Sequence, residues 1–139
     1  MNKSSDSPLL VRPSAGPGEY VCVTPASAGW QHLSFAARRL KQGEVWKGVT
    51  GDCEYGFVIL GGVCAIESNR GEWPRVGRRP DVFHGMPYAL YLPRETEFQV
   101  KAQSTDLDIA YGWCLSEGQH PARLVTPEQV QIEIRGGGN

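Results

Sequence analysis

The sequence predicts an all-β barrel folded as a single domain, and three observations predict it. Seventeen glycines and ten prolines are spread through 139 residues, which interrupts the chain too often for long helices. Short apolar runs recur between those breaks, as strands joined by tight turns do. Hydrophobic residues make up 40% of the chain and charged residues 21%, enough apolar material for one core in a chain of one-domain length.

The elements follow in order. Residues 1–18 hold Ser4, Ser5, Ser7, Pro8, Pro13, Gly16, Pro17 and Gly18, and read as an extended arm. The barrel is expected over residues 19–135. Glu19 to Val23 is a short strand, and Thr24 to Gly29 a small-residue loop. Leu33 to Lys41 has helix-forming residues, but Leu33, Phe35 and Ala37 alternate with their neighbours and Gly43 closes the run, so a strand is expected. Tyr55 to Leu60, then Gly61-Gly62, then Val63 to Glu67 read as a hairpin with a two-residue glycine turn. Ser68 to Gly71 offers a second turn. Val82 to Gly85 leads into a strand at Tyr88 to Leu92. After a turn at Pro93 to Thr96, Glu97 to Ala102 and Leu107 to Cys114 are two more strands. Thr126 to Gln129 starts a helical turn. Gln131 to Arg135 alternates like an edge strand, and residues 136–139 have a linker composition.

Charge and cysteine usage exclude several classes. Fourteen basic and fifteen acidic residues give a net charge of −1, so neither nucleic acid nor an anionic membrane surface is an expected partner. The pairs Arg38-Arg39 and Arg78-Arg79 read as solvated faces. The longest uncharged apolar run, Phe57 to Ile66, is far shorter than the roughly 20 residues of a spanning helix, and no secretory signal is legible. Cys22, Cys53, Cys64 and Cys114 form no C-x-x-C pair, which suits free thiols in a reducing cytoplasm. No phosphate loop, nucleophile elbow or H-E-x-x-H is present.

Two short patterns narrow the barrel to one type. Glu54, six residues, then Gly61 resembles the end of the first cupin motif. Tyr91 to Phe98 resembles the second, in which a strand ends at a proline and a histidine follows. The expected fold is therefore the cupin-type double-stranded β-helix, a jelly-roll barrel. A cupin metal is held by two early histidines, the glutamate and the later histidine. The early positions fall on Gly48 and Thr50, or on Lys47 and Val49, and the late one on Phe98. Only Glu54 remains, and one carboxylate cannot hold a metal, so no cofactor is expected in this chain.

The same positions outline a small polar site. Alternation along a strand places Thr50 and Glu54 on one face, with Phe98 across the barrel; a Glu among apolar neighbours there needs a partner, and Arg38 on the neighbouring strand is a candidate. His84, entering the strand before the second pattern, is the histidine most suited to join them. His32 and His120 read as loop residues. Thr50, Glu54 and Phe98 equally suit a filled core.

The blocks Leu40 to Gly48, Glu54 to Glu67, Val76 to Pro93 and Ala122 to Asn139 are similar to the N-terminal half of the KduI/IolB family, the 5-deoxy-glucuronate isomerases of inositol catabolism. That resemblance implies two barrels in a chain of about twice this length, with the metal ligands in the second barrel. It implies an aldose–ketose isomerisation of a deoxy-uronic acid, by metal-assisted proton transfer through an enediol. This chain is then the non-catalytic barrel, packing on a second cupin domain or forming a homo-oligomer. The alternatives are a sugar-acid binding module and a structural dimerisation domain.

Overall fold

Alternation of burial sets the strands. In β4 (Cys53–Gly61), Phe57, Ile59 and Gly61 are buried while the residues between them are not, which is the period of a half-buried strand. The computed structural model describes residues 10–137. Residues 1–9 of the expected arm and 138–139 of the tail lie outside them. The other strands are β1 (Gly18–Val23), β2 (Ser34–Lys41), β3 (Val45–Val49), β5 (Cys64–Ser68), β6 (Gly71–Val76), β7 (Ala89–Leu92), β8 (Glu97–Ala102), β9 (Asp106–Leu115) and β10 (Arg123–Val125). One four-residue helix, α1 (Pro25–Ala28), sits in the loop after β1, capped by Thr24.

The strands form two antiparallel sheets. The larger has the order β1-β2-β9-β4-β7-β10 and the smaller the order β3-β8-β5-β6. Phe57, Ile59, Leu107 and Ile109 from the larger sheet meet Ile66, Phe98 and Val100 from the smaller in one core. Each such side chain contributes about 1.5–3 kcal/mol on burial, against the entropy of ordering it.

The hairpin expected at Gly61-Gly62 does not form. β4 pairs with β7 and β9, whereas β5 pairs with β6 and β8. The glycine pair is where the chain leaves one sheet for the other. Its glycines are required by close backbone approach. A Cβ on Gly61 would lie 2.4 Å from the Pro80 carbonyl oxygen, and one on Gly62, at φ +92°, 2.3 Å from that of Asp106. No side chain fits in that space.

β3, β6 and β10 are strands that the sequence reading missed. β6 contains Pro74, which counts against a central strand but is tolerated at the sheet edge where β6 lies. The expected strand over Gln131 to Arg135 is absent: the segment makes no ladder with either sheet, and Ile132 and Ile134 are 74% and 85% exposed. Alternation alone is insufficient where no edge offers it a partner. The expected turn after Thr126 is a 3-10 turn at Pro127–Gln129.

Candidate functional site

The four residues expected to share a site do not converge. Thr50 lies before the Gly51-Asp52 turn and is buried. Its Oγ1 donates to the Pro93 carbonyl at 2.9 Å and accepts from the Thr96 N–H at 2.9 Å. Thr96 Oγ1 donates to the same Pro93 oxygen at 2.7 Å. Thr50 is thus engaged in a clasp joining the segment before β4 to the turn before β8, with its hydroxyl proton already donated.

Glu54 faces away from the barrel interior. Tyr55, its neighbour, packs within 5.8 Å of the Phe57 ring inside, so Glu54 points to the outer face of the larger sheet. There its Oε2 accepts from the Tyr91 hydroxyl at 2.8 Å. Partial burial first, and then the adjacent carboxylate, push the Tyr91 hydroxyl up to about 12. Cys114 stands opposite Glu54 on β9, and burial with the same carboxylate raises its thiol.

Arg38 does not partner Glu54. It points inward from β2, and its nearest carboxylate is Glu19 Oε2 at 3.8 Å. The expectation that Arg38-Arg39 forms a solvated face therefore fails for Arg38, whose side chain is 25% exposed. His84 lies apart from all three, on the surface loop between β6 and β7, where its Nδ1 meets Asp81 Oδ1 at 2.6 Å. That contact first, then the Phe83 N–H, hold the Asp81 carboxyl below its ordinary value.

The barrel mouth instead gathers residues from five strands, β1, β2, β3, β4 and β9. The Arg38 guanidinium stacks 4.7 Å from the centre of the Trp46 ring. The Tyr111 hydroxyl donates to Glu19 Oε2 at 2.8 Å. Burial is the main cause that pushes the Tyr111 hydroxyl up, and the Glu19 carboxylate adds to it. Tyr55, Tyr111 and Trp113 stack with interplanar angles of 11°, 12° and 23°. A cleft of about 310 Å³ opens beside Trp113, lined also by His32, Ser34 and Cys53.

Known proteins match this architecture. The model of the KduI/IolB family matches residues 9–139. The chain belongs to the KduI/IolB family. A 5-deoxy-glucuronate isomerase of Geobacillus kaustophilus is 37% identical over 134 residues, covering 94% of this chain and 48% of that protein. The Geobacillus thermodenitrificans enzyme of the same name is 38% identical over 123 residues, covering 88% of this chain and 44% of its own. The crystal structure of an iolb-like protein from Salmonella typhimurium LT2 superposes with a TM-score of 0.86 at 30% identity, over 92% of this chain and 49% of that one. Bacillus subtilis oxalate decarboxylase, at 15% identity and a TM-score of 0.58, shares the cupin-type fold. The chain thus spans about half the length of its KduI/IolB relatives.

The positions where a cupin holds its metal do not fit one here. Gly48 carries no donor, and a Cβ there would lie 2.5 Å from Phe98 Cζ. Phe98 is apolar and packs 5.3 Å from both Trp46 and Phe57. Thr50 is committed to its clasp, and Glu54 is turned to the opposite face. Among the described residues, no three His, Cys, Asp or Glu side chains group as a metal centre would require. No helix among them is long and apolar enough to cross a membrane.

Sequence reasoning missed Glu19 and Tyr111 as site residues and read Trp46 and Trp113 only as packing. No local pattern marks them. The register β1·β2·β9 brings Glu19 opposite Arg38, and Tyr111 two residues from Arg38's partner Ile109. That register is a long-range property.

Proposed function

We propose that this chain is the non-catalytic, metal-free barrel of a two-barrel aldose–ketose isomerase acting on a deoxy-uronic acid. The observation that carries the reading is the donor chemistry at the barrel's metal positions. Gly48, Thr50 and Phe98 stand where ligands are needed, in a chain whose family relatives are named 5-deoxy-glucuronate isomerase and are twice as long. Proton transfer through an enediol would then occur in the other half, where the metal would be held. This barrel would pack against that half or a second copy. The four free cysteines support a reducing cytoplasm as its setting.

Two measurements test this. The chain is incubated with 5-deoxy-glucuronate and Mn²⁺ or Zn²⁺, and ketose formation is followed. No turnover is expected, and turnover would overturn the assignment of a non-catalytic barrel. The gene is also read past Asn139. A His-x-His with a glutamate shortly after it is expected; a stop codon there would overturn the two-barrel reading.

A further inference from the structure

Residues 131–135 have the form of a strand but belong to no sheet. Ile132 and Ile134 are 74% and 85% exposed. The chain is extended as it leaves Val130, at φ −76° and ψ 125°. Arg135 meets Glu133 at 2.8 Å, and side chains two residues apart share a face when the chain is extended. The two isoleucines therefore share the other face. Among the described residues, the backbone of this segment makes no hydrogen bond. Adding to the edge of a sheet would satisfy its polar groups and bury its apolar side together.

The same chain carries an edge that fits it. β3 ends the smaller sheet and pairs only with β8. The Glu44 carbonyl accepts from the Ala102 N–H, and the Thr50 N–H donates to the Thr96 carbonyl. Alternation then turns the N–H and C=O groups of Val45, Lys47 and Val49 to the open side. Val45 and Val49 are exposed, and Lys47 makes no ion pair among the described residues. The larger sheet continues past this edge. Trp46 of β3 lies over Arg38 of β2, and β1, the next strand out, is left uncovered. Its Cys22 stands opposite Ala36, a core residue of β2, and yet is exposed. The segment's own β3 is on the far side of the barrel, because the segment follows β10, at the end of the larger sheet opposite to β1. β6, the other edge of the smaller sheet, carries Pro74, which cannot donate.

We propose that residues 131–135 add to β3 of a second copy of this chain, as a fifth strand of its smaller sheet, and that mutual exchange closes a two-fold dimer. Antiparallel pairing with Glu133 opposite Lys47 sets the register. It places Ile134 beside Trp46 and Ile132 beside Gly48, on the inner side that faces β1. A slip of one residue would turn the charges inward instead. The exchange rests on the segment and the edge alone, not on the isomerase reading.

Sedimentation equilibrium tests it. The unaltered chain is expected to be dimeric. Ile132→Asp with Ile134→Asp is expected to weaken the dimer by about a hundredfold. Phe83→Asp, 88% exposed on the loop between β6 and β7, is expected to leave it unchanged. Charge reversal then tests the acceptor edge. Lys47→Glu and Glu133→Lys each place like charges at both contacts and are expected to weaken self-association. An equimolar mixture of the two has opposite charges at both contacts and is expected to form the mixed dimer. All these positions are exposed, and near-ultraviolet circular dichroism checks that each variant keeps its packing. A monomeric unaltered chain, a dimer indifferent to the isoleucine variant, or equal weakening by Phe83→Asp would overturn the exchange and leave the proposed function standing. A mixture no more associated than either variant alone would overturn β3 as the acceptor.

Discussion

A single methyl group at Gly61 tests how the chain passes between its two sheets. The Cβ of an alanine there would lie 2.4 Å from the Pro80 carbonyl oxygen and 3.3 Å from the Asp81 Cα. Ordinary carbon contacts need about 3.5 Å, so the backbone must retreat by about 1 Å. Both neighbours are main chain and cannot rotate away. Overpacking of this kind costs about 1–3 kcal/mol. Gly56, on the same strand, is the control. Nothing lies within 4 Å of a Cβ built there, and alanine in a strand interior is favoured over glycine by about 0.5–1 kcal/mol. The two variants should therefore separate by about 1.5–4 kcal/mol. Urea unfolding followed by tryptophan emission reads this as opposite shifts of midpoint at unchanged slope. Equal midpoints would refute the crossing, because in a hairpin turn the added methyl would face solvent.

Two further expectations follow from the contacts at Thr50 and Asp81. Thr50→Val keeps the shape but leaves the Thr96 N–H without its acceptor; a loss of about 1–3 kcal/mol is expected in the same unfolding assay, and an unchanged midpoint would show that the clasp is dispensable. For Asp81, whose carboxyl is held low chiefly by His84, a carbon-13 titration should place the midpoint below the ordinary aspartate value. His84→Ala should move it upward. Because the folded value is the lower one, this contact's contribution is present above the unfolded value and fades as pH falls through the folded value. A midpoint unaffected by the substitution would remove His84 as the cause.

The barrel was legible in the sequence because its strands alternate and its turns are marked by glycine and proline. What was not legible depended on parity and on partners. The spacing from Glu54 to Gly61 marked a real strand, yet Tyr55 and not Glu54 faces the interior, since a step of one residue exchanges the two faces. The alternation that would put Thr50 on the face of Glu54 is broken between them by the turn at Gly51-Asp52. Gly61-Gly62 carried the signal of a turn, but the same residue type also serves close backbone approach, and only the strand pairing distinguishes the two. β6 was hidden by Pro74, which is acceptable only because that strand is an edge. Of the expected site, Arg38 alone faces the barrel mouth, and its companions Glu19 and Tyr111 come from strands distant in the chain.

The contact between Gly48 and Phe98 also constrains which substitutions this barrel accepts. Any side chain at position 48 needs the space that the Phe98 ring fills, and that ring is wedged between Trp46 and Phe57. A histidine arriving at 48 alone meets a ring with nowhere to go, while a smaller residue arriving at 98 alone opens a hole in the core. Each first step is penalised until the other has occurred. Positions 48 and 98 are therefore coupled: the packing between them opposes a change at either one alone and admits a larger residue at 48 only together with a smaller one at 98.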